Sequence, residues 1–170
     1  MAIALDADTV YFATGPSGGE NGTIARVSKQ GGESRVLVER RNTILSMAVD
    51  DGRVVWSENG NLAAAVSSDG GPVVELHRRD DPSQVTALVS QGIAAAGGSV
   101  YFGVGRQNAA LRASARDGSS RDVETMSLPS NANAFIATSI AVDEARVYWF
   151  DYWWSYSSPK HQAIVRSAAR

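Results

Sequence analysis

One ten-residue phrase occurs four times along the chain, and this repetition limits the fold more than any other feature. Ile-Ala-Leu-Asp-Ala-Asp-Thr-Val-Tyr-Phe at 3–12 returns as Met-Ala-Val-Asp-Asp-Gly-Arg-Val-Val-Trp at 47–56. It returns again as Ile-Ala-Ala-Ala-Gly-Gly-Ser-Val-Tyr-Phe at 93–102 and as Ile-Ala-Val-Asp-Glu-Ala-Arg-Val-Tyr-Trp at 140–149. Tyr11, Val55, Tyr101 and Tyr148 are then equivalent and lie 44, 46 and 47 residues apart. A period of roughly 40–50 residues made of short strands marks propeller blades, units that bury their apolar faces only by stacking on one another.

Within each unit the first strand alternates apolar and small residues: Ile3/Leu5, Met47/Val49, Ile93/Ala95 and Ile140/Val142. Alanine stands between each pair, at Ala4, Ala48, Ala94 and Ala141. Period-two alternation predicts a strand, and a recurrent small residue predicts crowding on that face, as on innermost strands near a central axis. A tight turn follows, rich in Asp and Gly, which tolerate positive φ. The second strand carries an aromatic or β-branched pair such as Tyr11-Phe12 or Tyr148-Trp149, which suits a pleated, half-buried surface. Third strands are predicted at 23–32, 61–71 and 110–118, each closing in a Gly turn and leading to a short apolar fourth strand at 36–38, 73–76 and 123–126. The fourth copy supplies only a third strand, at 162–170.

The prediction is therefore an all-β fold: one β-propeller domain over 1–170, with four blades of about four antiparallel strands and the last blade lacking its outer strand. The blades fall at approximately 2–40, 44–78, 86–127 and 135–170. The N-terminal segment starts on an inner strand and so cannot supply the missing outer one, which leaves blade four with an open ladder edge. Two readings follow. The chain closes as a small four-bladed ring, or it is an arc: a fragment of a larger propeller, or half of a homodimer that completes an eight-bladed ring. The open edge favours the arc.

These residues resemble the YWTD and NHL-like propellers of receptor ectodomains and bacterial surface proteins. The nearest echo is Tyr148-Trp149-Phe150-Asp151, together with Ile140 to Asp143 and the Gly22 to Val27 segment. Blades one to three depart from the tetrapeptide, and the aspartate that would tie neighbouring blades is missing there. The resemblance implies protein or small-ligand binding for most members, and lyase or hydrolase activity for a few similar propellers.

Composition narrows the partners. The 170 residues carry 44% hydrophobic and 20% charged residues, the balance of a globular protein. A net charge of −2 gives no attraction for nucleic acid or an anionic membrane surface. No stretch approaches the ~20 apolar residues of a membrane helix, and Asp6 and Asp8 stand where a signal peptide would be apolar. Cellular location stays open. With no cysteine and two histidines, disulfides, thiolate sites and multi-histidine metal sites are excluded, and no cofactor or metal is expected.

Loop lengths point to one rim. The segments between second and third strands (13–22, 57–60, 103–109 and 150–161) vary, whereas the other turns stay short. By strand direction they share a rim with the inter-blade connections at 39–43, 77–84 and 127–133. Elaborated loops carry function, so this rim is the expected binding face for a protein or small molecule. Its most pointed feature is the longest loop, with Tyr152, Trp153, Trp154 and Tyr156. Aromatics there could stack on a ligand, or cover the open edge of blade four. Arg40, Arg41, Arg78, Arg79 and Arg106 share the rim and could grip a carboxylate or phosphate, or pair with neighbouring acids. No nucleophile-elbow motif supports catalysis; His161, beside Ser157, Ser158 and Asp151, is the base an enzyme would use, and an ordinary surface histidine otherwise. The Gly103 segment lacks the third glycine of a dinucleotide loop. Asp6, Asp8, Asp50, Asp51 and Asp143 recur at a tight turn, where capping of backbone N–H groups explains them. The expected function is a non-catalytic binding scaffold, the alternatives being a propeller-shaped lyase or hydrolase, or a fragment without activity.

Overall fold

The computed structural model describes residues 1–15, 21–58, 62–78, 92–104, 108–117, 119–127, 132–155 and 158–170. Among them every regular element is a β-strand. The first sheet is β1 (Ile3–Leu5), β2 (Thr9–Thr14), β3 (Gly22–Ser28) and β4 (Arg35–Arg41). The second is β5 (Ile44–Asp50), β6 (Arg53–Glu58), β7 (Leu62–Ser67) and β8 (Val74–Arg78). The third is β9 (Ile93–Ala96), β10 (Ser99–Val104), β11 (Asn108–Ser114) and β12 (Ser120–Ser127). The fourth is β13 (Ala132–Val142), β14 (Arg146–Ser155) and β15 (Ser158–Ala169). Strand order follows chain order in every sheet, and all pairs are antiparallel, so the sequence repeat is a structural repeat of four blades, the last with three strands.

The register repeats too. Ala4 pairs with Tyr11, Ala48 with Val55, Ala94 with Tyr101 and Ala141 with Tyr148. The hairpin between β5 and β6 turns on Asp51 and Gly52, with φ of 49° and 67°; that between β9 and β10 turns on Gly97 and Gly98, at 58° and 79°. Two successive positive φ values are the type I′ geometry whose twist matches that of the flanking strands. This is why these two turns are built from Asp and Gly.

Sheets pack face to face along the chain order. The first core cluster joins Tyr11, Ala13 and Ile24 of blade one to Met47, Val54 and Trp56 of blade two. The second joins Val55 and Ala65 of blade two to Ile93, Val100 and Phe102 of blade three. The third joins Tyr101 and Leu111 of blade three to Val147 and Trp149 of blade four. Inner strands approach in the same sequence, β1 beside β5, β5 beside β9 and β9 beside β13, with no comparable approach of β13 to β1. The small residue on each inner strand lets these backbones come close. Among the described residues the blades thus form an arc in which β13 does not pack on β1 as the internal inner strands pack on one another.

One expectation is corrected. Residues 150–161, read from sequence as the longest loop, are mostly strand: β14 runs to Ser155 and β15 begins at Ser158. Trp153 pairs with Ala134 and Gln162, and Trp154 with Asn133 and His161. The aromatic tract has strong strand preference, and pairing on both sides supplies the backbone hydrogen bonds that a loop would leave to water.

Candidate functional site

The two rims of the arc are built differently. On the turn rim, side chains reach from each blade to the next. Arg26 donates to the Ser68 carbonyl at 2.8 Å and to Asp69 at 2.7 Å. Arg53 donates to the Gly98 carbonyl at 2.7 Å, while the Gly98 amide donates to Asp50 at 2.7 Å. Arg116 pairs with Asp51, and Arg170 donates to the carbonyls of Ala96 and Asp143, each at 2.9 Å.

The aspartates of this rim serve the turns. Asp6 accepts from the amides of Asp8 and Thr9 at 2.9 and 2.7 Å and from the Tyr11 hydroxyl at 2.7 Å. Asp143 repeats the pattern with Ala145, Arg146 and Tyr148. The backbone amides of Ala145 and Arg146, then the Tyr148 hydroxyl, hold the Asp143 carboxyl below its ordinary range. At Asp6 burial opposes ionisation, but the donors from Tyr11, Asp8 and Thr9 and the charge of Lys29 outweigh it, and the value is again lowered. Burial, then the hydrogen bond and charge of Asp6, push Tyr11 up; at Tyr148 the bond to Asp143 leads. Among the described residues no cluster of three or more His, Asp or Glu side chains is arranged to hold a metal ion.

The loop-rich rim carries two buried carboxylates. Glu58, at the end of β6, accepts from the Trp56 indole N–H and from Arg41 Nε of the preceding blade, both at 2.6 Å. The Arg41 guanidinium also stands 5.8 Å from the Trp56 ring centroid. Asp151, 1% exposed on β14, accepts from the Trp149 indole at 3.2 Å and Arg166 Nε at 2.7 Å. Arg166 in turn donates to Glu124 of blade three at 2.9 Å. Each carboxylate lies two residues beyond a tryptophan, and each network crosses a blade boundary. The equivalent positions in blades one and three, Thr14 and Val104, follow phenylalanines instead. The YWTD-like tetrapeptide already pointed to Asp151 as a blade-tying aspartate; Glu58, which departs from that motif, was signalled only by the Trp-x-acid spacing.

The predicted site residues fall as follows. Tyr152, half-buried, continues β14 just past Asp151. Trp154 and His161 are register partners on β14 and β15, so the structure brings these two together. Arg78 ends β8 on blade two, paired with Leu62. Arg79, Arg106 and Tyr156 lie outside the described residues. The other histidine, His77, sits with its ring 5.8 Å from that of Phe102, across the boundary between blades two and three. Of the depressions among the described residues, one of about 30 Å³ lies on the loop-rich rim between blades one and two, against Thr14, Gly22 and Ile44. Larger ones of about 340 and 290 Å³ are on the turn side, the first bounded by Asp8, Arg26, Glu33 and Arg35.

Four antiparallel sheets in chain order, packed face to face, decide the architecture. The fold is a β-propeller. No family model matches the chain, and neither does any curated protein. Solved structures are similar in fold. The extracellular domain of BT4673 from B. thetaiotaomicron aligns with a TM-score of 0.61 at 17% identity, over 97% of this chain and 22% of that one. The computationally designed Ika4 protein aligns at 0.60 and 14% identity, over 97% and 88%. BamB from Moraxella catarrhalis aligns at 0.59 and 13% identity, over 96% and 48%. This chain therefore spans about a fifth of the first, most of the second and about half of the third.

Proposed function

We propose that this propeller is a non-catalytic binding module, holding a protein segment or small ligand on its loop-rich rim. The observation that carries the reading is the blade-four hairpin. Its strands continue four residues past Asp151, whereas β6 ends at the equivalent Glu58. Three paired strands therefore lift the tract 152–154 beyond the level of blade two. Tyrosine and tryptophan supply large contact area at low conformational cost, which suits a binding edge. The histidines an enzyme would use stand on different blades, His77 on β8 and His161 on β15. We also read blade four as YWTD-like, its Asp151 joining Trp149 and Arg166 as a blade-tying aspartate would.

The test replaces Trp153 and Trp154 with Ser together and scores binding against a panel of immobilised peptides and oligosaccharides. At least about tenfold weaker binding of the best panel member, with the fold intact, is the expected result. Unchanged binding would remove the hairpin from the site. A second variant, His77→Ala with His161→Ala, should leave that binding within about twofold.

A further inference from the structure

At each internal boundary of the arc, one blade presents the face of its tyrosine position and the next presents the face of its Phe/Trp position. Tyr11 and Tyr101, 1% and 2% exposed, are covered by the following blade. Trp56, Phe102 and Trp149, at 0%, 0% and 3%, are covered by the preceding one. The two ends of the arc carry the same two faces without this cover. Phe12 and Val10 are half-buried, and Ile3, Leu5 and Val36 are 57%, 58% and 46% exposed. The equivalents of Ile3 on blades two and three, Met47 and Ile93, and those of Val10, Val54, Val100 and Val147, are all 8% exposed or less, and those of Leu5, Val49, Ala95 and Val142, are half-buried. On blade four, Tyr148 is half-buried, Ala141 is exposed and Val165 is 73% exposed, although Val165 is the counterpart of Ile24, at 0%.

The exposed residues of β1 and β2 thus form an apolar sheet face in the register that internal boundaries bury, and blade four ends in the matching face. We infer that a second copy of this chain docks head to tail, its blade-four face on the blade-one face of the first. Repetition of the operation closes a two-fold, eight-bladed ring with two identical junctions. A second copy is the occupant because it brings both complementary faces at once, and the equivalents of each face pack on one another at the three internal boundaries. The junction is heterologous, and two-fold closure satisfies both ends without a growing filament. Eight blades is within the range that propellers adopt. The alternation of junction types also continues unbroken: the receiving aromatic is Trp56, Phe102, Trp149 and then Phe12 of the second copy.

The experiment measures solution mass by sedimentation across concentration for the whole chain, for Leu5→Glu, for Val165→Glu, and for an equimolar mixture of the two variants. Both sites are exposed in the single chain, so the variants should keep the wild-type circular dichroism spectrum. The wild type should sediment at about 36 kDa, twice the 18.0 kDa of one chain. Each variant alone should dimerise at least about a hundredfold more weakly, because burying an unpaired carboxylate in an apolar junction is costly. The mixture should recover dimers that neither variant forms alone, since one junction per pair is then intact. An isologous interface fails that test, because the variant whose contact face is untouched would dimerise unaided. A wild type that stays at 18.0 kDa, or one that grows without limit, overturns the proposal.

Discussion

At the residue scale, the positions with the largest stakes are Glu58 and Asp151. A carboxylate that is 3% or 1% exposed persists as an ion only where cations and donors replace water, and Arg41 with Trp56, or Arg166 with Trp149, do this. Removing one member leaves the other charge stranded. Glu58→Ala should therefore cost about 3 kcal/mol in urea unfolding, whereas Glu58→Gln, which keeps an acceptor for the Trp56 N–H, should cost less. Asp122→Ala provides the contrast. Its pair with Arg112 has both side chains about a third exposed, so the loss should stay below about 1 kcal/mol. Equal losses for Glu58→Ala and Asp122→Ala would mean that burial does not govern these pairs.

At the scale of the element, the repeated turn is a small electrostatic device. Asp6 and Asp143 each gather two backbone amides and a tyrosine hydroxyl, and both carboxyl groups titrate below the ordinary value near 3.8. A group whose pKa is depressed by folding contributes stability that is complete above its unfolded value and disappears as pH falls through its folded value. The Asp6→Asn, Asp143→Asn double variant should therefore melt below the wild type near neutrality, with the gap closing as the pH drops below about 4. A gap that is constant with pH would assign the turns' benefit to hydrogen-bond geometry alone. The blade-four hairpin shows where element boundaries escape sequence. Phe-Asp-Tyr-Trp-Trp-Ser-Tyr has no clean polar alternation, and its extension rests on β13, more than ten residues upstream, pairing Ala132 to Phe135 beside it.

At the scale of the whole molecule, stability is a chain of blade-to-blade junctions, each burying a Phe or Trp and a small inner-strand residue. Ends of such an array are its weak points. Linkage turns this into a measurement. If two copies close a ring, unfolding includes dissociation, and the melting temperature should rise by about 2 °C for each tenfold increase in concentration. Leu5→Glu should abolish that dependence. A melting temperature independent of concentration in the wild type would place the functional unit at a single chain.

Local pattern determined most of the architecture. Period-two alternation, Asp/Gly turns and a repeat near 46 residues placed the strands of the first three blades to within a few residues, because each depends on neighbours only a turn away. The alanine register and the three-stranded last blade followed from the same repeat. What only the tertiary structure decided is which copies of equivalent residues are covered. Tyr11 and Tyr148 occupy the same position of the same phrase, yet one is sealed beneath the next blade and the other is not. The arc, the cross-blade carboxylates and the exposed terminal faces arise from contacts between sheets, and a repeat that is locally uniform holds no record of where those contacts stop.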